Sequence, residues 1–134
     1  MGGVIDQSCH TPQIVAMSSA EAEYNGACAA AMAVDHHRML LNELDGKDPD
    51  DISEAIPILL DSASAIAMAK HAKDTKHTRH IARRLHYVRE GEQQSRFSLS
   101  YIPAEKQLAD IGTKALSEED MNSRYDIISA IVDI

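Results

Sequence analysis

The sequence contains no tryptophan, a single phenylalanine and only two cysteines in 134 residues. So few cysteines exclude a disulfide framework, and Cys9 and Cys28 lack the spacing of a metal-binding pair. A reducing, intracellular compartment, cytoplasmic or nuclear, is therefore expected. No run of about 18 apolar residues occurs, so no membrane-spanning segment is expected, and the start is too short and polar for a signal peptide. The length predicts a single domain over residues 1–134.

Positive charge is also scarce, because 13 lysines and arginines face 21 acidic residues and leave a net charge of −8. This balance argues against simple coating of nucleic acid. The basic residues are nevertheless concentrated between Lys70 and Arg89, where seven of them accompany one acid, Asp74. Such a strip is either a surface that contacts phosphates or a solvated helix face that balances nearby acids.

The order of elements predicts an α/β fold. Strands are expected over Val4–Val15, as one strand or as two pieces interrupted at Thr11-Pro12, and over Ile56–Leu60 and Phe97–Ile102. Ser18, with Glu21 three residues on, has the spacing of a capping box and predicts a helix to about Leu44. Two further helices are expected in the middle of the chain: Ala63 to about Ala72, capped by Ser62, and His77 to Glu90, which Gly91 ends. Two more are expected near the end: Pro103 to about Lys114, and one that starts at Ser117. The last helix has an apolar stripe of Met121, Tyr125, Ile128 and Val132. Tyr24 and Tyr101 are expected in the core.

Three carboxylates occupy positions that suit a metal-dependent nuclease. Glu23 lies near the start of the first helix, Asp61 directly follows an apolar strand, and Asp110 lies on a late helix. Carboxylates from separate elements can converge on divalent ions, and Mg²⁺ prefers such hard oxygen ligands. Two ions of this kind activate a water and stabilise the leaving oxygen of a phosphodiester.

Four segments together resemble one family. Residues 16–24, AMSSAEAEY, are similar to "ALSSAEAEY", and residues 60–66, LDSASAI, to "CDNQSAI". Residues 78–90, TRHIARRLHYVRE, are similar to "TKHIDIRYHFIRE", and residues 101–116, YIPAEKQLADIGTKAL, to "YVPTEEQLADILTKPL". The quoted counterparts are signatures of the ribonuclease H domain of copia-type retrotransposon polyproteins, and the chain resembles them in the same order over most of its length.

The resemblance implies a ribonuclease H-like mixed sheet flanked by helices. It also implies an endoribonuclease that hydrolyses the RNA of RNA–DNA hybrids with Mg²⁺, or alternatively Mn²⁺. It places the catalytic, metal-binding carboxylates at Glu23, Asp61 and Asp110 and leaves Glu21 as a cap. The expected contacts to nucleic acid are Ser19, Lys76, Arg79, His80, Arg83, Arg84 and His86.

The resemblance also implies that the N-terminal hairpin of the fold, whose first strand carries another catalytic aspartate, has no counterpart here. The chain then corresponds to the C-terminal part of the fold, and its cleavage is expected to be weak or absent. A homo-oligomer, or a partner chain that supplies the strands, is expected. The alternatives are a catalytically silent structural or interaction module and a nucleic-acid binder without hydrolysis.

Overall fold

The computed structural model describes residues 5–8, 18–71, 79–112 and 114–132, without the side chains of residues 80 and 129–132. In this part of the chain four α-helices accompany a two-stranded parallel sheet, which confirms the α/β class. The contacts divide the chain into two compact units, residues 15–102 and residues 1–14 with 103–134. None of the helices in the described ranges is long and apolar enough to cross a membrane.

The first helix, α1, spans Ser19–Leu44 as the sequence predicts. The Ser18 hydroxyl accepts a hydrogen bond from the Glu21 amide at 3.1 Å, which satisfies one of the amides that a helix start leaves unpaired. At the other end Gly46 adopts φ +69°. The Lys47 amide then bonds the Asn42 carbonyl at 2.8 Å, closing a Schellman motif.

The strands are β1, Ile56–Leu60, and β2, Phe97–Tyr101, and they pair in parallel with Ile56 opposite Phe97. Alternate residues point to one face, where Ile58, Leu60 and Leu99 are buried. Three helices build the core against this face: α1, α2 (Ala63–His71) and α3 (Ala82–Gln93). Their alanines at positions 27, 31, 65 and 69 are buried and allow close approach.

The opposite face of the strand pair is more open, since Pro57, Leu59 and Ser100 are exposed. Within residues 18–71 and 79–102 the helices of this unit therefore cover one face only. The predicted strand Val4–Val15 lies outside the described residues except for 5–8, which form neither helix nor strand. A mixed sheet with helices on both faces accordingly stays a prediction.

The prediction that Gly91 ends a helix is wrong. A 3₁₀ turn, Arg79–Ile81, leads into α3, which continues through Gly91 to Gln93. Gly91 is buried because its backbone lies against the Phe97 ring, where an added Cβ would be 2.1 Å from Cζ. The glycine thus provides room for the ring, and residues 77 and 78 of the predicted helix lie outside the described ranges.

The end of α3 uses a serine where a glycine is usual. Ser95 has φ +57°, and it is the non-glycine residue with positive φ among those described. The Arg96 amide bonds the Gly91 carbonyl at 2.9 Å and the Ser95 amide bonds the Glu92 carbonyl at 3.0 Å, which makes a second Schellman motif. A Cβ in the left-handed region costs free energy that glycine avoids.

Replacing Ser95 by glycine should therefore stabilise the fold. We expect Ser95→Gly to raise the free energy of unfolding by about 0.5–1 kcal/mol in a urea titration. As the matched control, Ser123→Gly in the helix Glu118–Val132 should lower it by about 0.5 kcal/mol, because that residue is exposed in the interior of a helix. A loss of stability in Ser95→Gly would contradict the assigned conformation.

A buried ion-pair network joins α1 to the start of β2. Asp35 accepts hydrogen bonds from Arg38 at 2.9 Å, from the Tyr87 hydroxyl at 2.5 Å and from Arg96. The Arg96 guanidinium also lies over the rings of Tyr87 and Phe97, 5.1 and 5.7 Å from their centroids. Burial and the bond to Asp35 raise the pKa of the Tyr87 hydroxyl.

The second unit departs from the predicted helix over 103–114. Two short 3₁₀ helices, Ala104–Lys106 and Leu108–Gly112, occupy the segment, and α4 spans Glu118–Val132 behind a Ser117 cap. The predicted apolar stripe of α4 is partly wrong, because Tyr125 is exposed whereas Arg124 is buried. Arg124 donates to the carbonyls of Gln107 and Ala104 at 3.0 and 3.1 Å and so holds the 3₁₀ segment to α4.

Candidate metal-binding site

Glu23 and Asp61 line one open cavity although they are distant in the sequence. The cavity has a volume of about 520 Å³. Its wall consists of Ser19, Glu23, Asp61, Ser62, Ala63, Ser64 and Tyr101. Two of the three predicted catalytic carboxylates and the predicted contact Ser19 therefore share a site.

Local sequence determines how these side chains meet. The Ser18 cap fixes the start of α1, and Ser19 and Glu23 then follow one another on the same side of the helix, four residues apart. Asp61 directly follows β1. The register pairs Leu60 with Tyr101, so both parallel strands end at the same edge of the sheet, where ligands of α/β folds collect.

The start of α2 completes the wall. The Ser62 hydroxyl accepts a hydrogen bond from the Ala65 amide at 3.2 Å and lies 3.0 Å from the Ser64 hydroxyl. This cap turns the chain sharply after Asp61, so that three serine hydroxyls accompany the two carboxylates in the cavity. All of these donors are hard oxygens, the kind that Mg²⁺ prefers.

The donor set suits one Mg²⁺, which proteins usually hold with one or two carboxylates while water and substrate phosphate complete the coordination. Across residues 5–8, 18–71, 79–112 and 114–132, no group of three or more histidine, cysteine or acidic side chains is arranged to hold a metal ion. Glu23 and Asp61 are the two acidic residues that line the cavity.

Asp110 belongs to the other unit, residues 1–14 with 103–134, and is buried there on the 3₁₀ helix Leu108–Gly112. Its carboxylate is 3.0 Å from the Lys114 ammonium and 3.9 Å from the Arg124 guanidinium. Lys114 lies one helical turn away and could be anticipated from the sequence. Arg124 could not, because only the packing of α4 brings it there.

In the basic strip between Lys70 and Arg89, some side chains are exposed to solvent and others make hydrogen bonds within the fold. Arg79, Arg83 and His86 are exposed, as a phosphate-contacting surface requires. Arg84 donates a hydrogen bond to the Asn25 side chain at 2.8 Å, so part of its guanidinium joins α3 to α1. Lys76 and the side chain of His80 lie outside the described residues.

Two residues close to the site in sequence, Glu21 and Tyr24, were expected to have structural roles, one in capping the helix and one in the core. Glu21 is buried, with 4% of its surface exposed, and its backbone amide donates the capping hydrogen bond to the Ser18 hydroxyl, as expected. Tyr24 is fully buried and its hydroxyl donates to the Arg84 carbonyl at 2.9 Å, as a core residue should. Burial raises the pKa of Tyr24 and also that of the neighbouring Cys28 thiol.

The prediction that Tyr101 is a core residue is wrong. Tyr101 is the last residue of β2, and it lines the cavity with 57% of its surface exposed. The alternation of the strand sequence places Tyr101 on the buried face of β2. It contains no information on how far the helices extend over that face.

No protein-family model matches the chain, and no solved structure matches it.

Proposed function

We propose that this chain is a ribonuclease H-like domain of the copia retrotransposon type, which hydrolyses the RNA strand of RNA–DNA hybrids with Mg²⁺. One observation carries the proposal. Glu23 and Asp61 come from two of the motifs that resemble this family, and both line the same cavity at the carboxyl end of the strands. We further propose the ribonuclease H-like sheet as the complete fold.

In this proposal Glu23 and Asp61 hold the Mg²⁺. When bound, the ion lowers the pKa of a water molecule and offsets the negative charge of the phosphate. The carboxylates orient the site, and the Ser62 and Ser64 hydroxyls can donate hydrogen bonds to a phosphate oxygen. Ser19 lies in the first turn of a 26-residue helix, whose partial positive charge favours a phosphate there.

Asp110 is proposed as a third catalytic carboxylate. Its two cationic neighbours differ in character, since Arg124 is buried and fixed by carbonyl bonds whereas the Lys114 side chain is half exposed. The Lys114 ammonium, which reaches solvent, can therefore move away from the carboxylate more readily than the Arg124 guanidinium can.

The first test is stabilisation by metal. Because Mg²⁺ would bind the folded state, it should raise the free energy of unfolding by about 1.4 kcal/mol at ten times its dissociation constant, with Mn²⁺ acting similarly. Thermal melts of the wild type should show this as a shift of a few degrees. Asp61→Asn and Glu23→Gln should abolish the shift.

Asp51→Asn provides the matched control, because it removes one exposed negative charge outside the cavity. The control should keep the full metal-dependent shift. A shift of equal size in Asp61→Asn, or no shift in the wild type, would contradict the site.

A non-hydrolytic nucleic-acid binder is the alternative that a specific observation favours. Arg79 and Arg83 are exposed on the basic strip, while Asp110 already has cationic partners. This alternative predicts hybrid binding that weakens with salt and with Arg83→Ala, without any cleavage. A catalytically silent module predicts neither binding nor cleavage.

We also propose that a second copy of the chain covers the end of α1. Apart from Arg38, whose side chain is largely covered, the last nine residues of this helix contain no buried side chain. An antiparallel pair of these helices would bring residues His36 and His37 of one copy beside Glu43 of the other. The exposed apolar side chains available are Met32, Met39, Leu40, Leu41, Leu44 and Ile52.

Solution mass at micromolar concentration tests this association. We expect a dimer for the wild type and a monomer for Leu40→Glu, since a charge would be buried in the contact. A monomeric wild type, or a dimer that Leu40→Glu leaves intact, would contradict a contact between two copies at the end of α1. The latter result would favour association through strands.

A further inference from the structure

Tyr101 differs from the residues that precede it on the same strand face. Phe97 and Leu99 are 1% and 5% exposed, and two-residue alternation places Tyr101 on their side of β2. Tyr101 is nevertheless 57% exposed. A large aromatic ring thus remains accessible to solvent at the point where the core ends.

The hydroxyl of Tyr101 also differs from those of the buried tyrosines. Tyr24 donates to the Arg84 carbonyl and Tyr87 to the Asp35 carboxylate. The Tyr101 hydroxyl makes no hydrogen bond with any of the residues that the structure describes. Neither packing nor hydrogen bonding in this part of the fold therefore explains the residue.

The position of Tyr101 relates it to the candidate site. It pairs in register with Leu60, the residue immediately before Asp61, and it lines the cavity that contains Glu23 and Asp61. A phosphate bound at these carboxylates has a sugar attached on either side. The accessible ring lies in the same wall, where one of those sugars can reach it.

We infer that Tyr101 is a specificity-determining residue that recognises ribose beside the bound phosphate. Its ring packs against the sugar, and its hydroxyl hydrogen-bonds the 2′-hydroxyl, the group that distinguishes RNA from DNA. The inference rests on the proposed function, because it assumes that a nucleic-acid backbone occupies the cavity. It adds a residue that selects the RNA-containing duplex.

Binding to two duplexes of one sequence tests the inference. Affinities for an RNA–DNA hybrid and for duplex DNA are measured with Ca²⁺ in place of Mg²⁺, so that cleavage does not interfere. Tyr101→Phe removes only the hydroxyl. It should weaken hybrid binding about 2- to 10-fold, the value of one hydrogen bond, and leave the affinity for duplex DNA unchanged.

Tyr101→Ala removes the ring as well and should weaken binding to both duplexes. Tyr125→Phe is the matched control, because that tyrosine is 52% exposed but lies on α4 and does not line the cavity. It should change neither affinity. The melting temperatures of all three variants should stay close to that of the wild type, since both side chains are exposed.

The outcomes separate the inference from the function beneath it. A wild type that binds no hybrid contradicts the proposed function, and the inference with it. A wild type that binds hybrid, but whose preference over duplex DNA is the same in Tyr101→Phe, overturns the role of Tyr101 alone. Selective loss of hybrid affinity in Tyr101→Phe supports it.

Discussion

Replacing Asp35 by alanine is expected to lower the free energy of unfolding by about 3–5 kcal/mol. The carboxylate is buried and receives hydrogen bonds from Arg38, Tyr87 and Arg96. Its removal leaves two largely buried guanidinium groups without their counter-charge. The Nε atoms of both arginines already lack a hydrogen-bond partner in the described structure, so the network cannot readily compensate.

A urea titration followed by circular dichroism measures this effect. Glu54→Ala is the matched control, because it removes an exposed carboxylate from the loop that precedes β1. The control should change stability by less than about 0.5 kcal/mol. If the two variants were equally stable, Asp35 would not organise the contact between α1, α3 and β2.

The second large effect on stability is expected at two glycines, one packed against a ring and one in open space. Gly91→Ala should destabilise the fold by about 1–3 kcal/mol, because the new methyl group would lie 2.1 Å from Cζ of the buried Phe97 ring. Gly26 is exposed on α1 with no atom within 4 Å of an added Cβ. Gly26→Ala should therefore stabilise the helix by up to about 1 kcal/mol.

Chemical denaturation of both variants under one condition gives the comparison. The double variant Gly91→Ala/Phe97→Leu is informative as well, because the smaller side chain should recover part of the loss. Equal responses at positions 91 and 26 would contradict the packing of α3 on β2.

The elements that the sequence predicted correctly are those specified by nearby residues. The Ser18 cap and the turn at Gly46 bound α1, and the apolar run Ile56–Leu60 forms β1. Long-range contacts explain the differences. Gly91 continues a helix because Phe97 packs on it, and Arg124 is buried because the 3₁₀ segment supplies carbonyls.

The candidate site was predictable in part for the same reason. Asp61 was predicted because it directly follows an apolar strand, and Glu23 because it lies near the start of a capped helix. Both line one cavity in the structure. The cationic partners of Asp110 and the exposure of Tyr101 depend on which elements cover them, and local patterns contain no such information. The ribonuclease H function itself rests on the family resemblance and stays a proposal.

Cleavage of the RNA strand in a labelled RNA–DNA hybrid with Mg²⁺ tests the central claim most directly. It is measured for the chain alone and with an added ribonuclease H hairpin peptide that carries the first-strand aspartate. We expect slow or no cleavage by the chain alone, faster cleavage with the peptide, and loss of cleavage in Asp61→Asn and Glu23→Gln. No cleavage with the peptide, or cleavage that both substitutions leave unchanged, would contradict it.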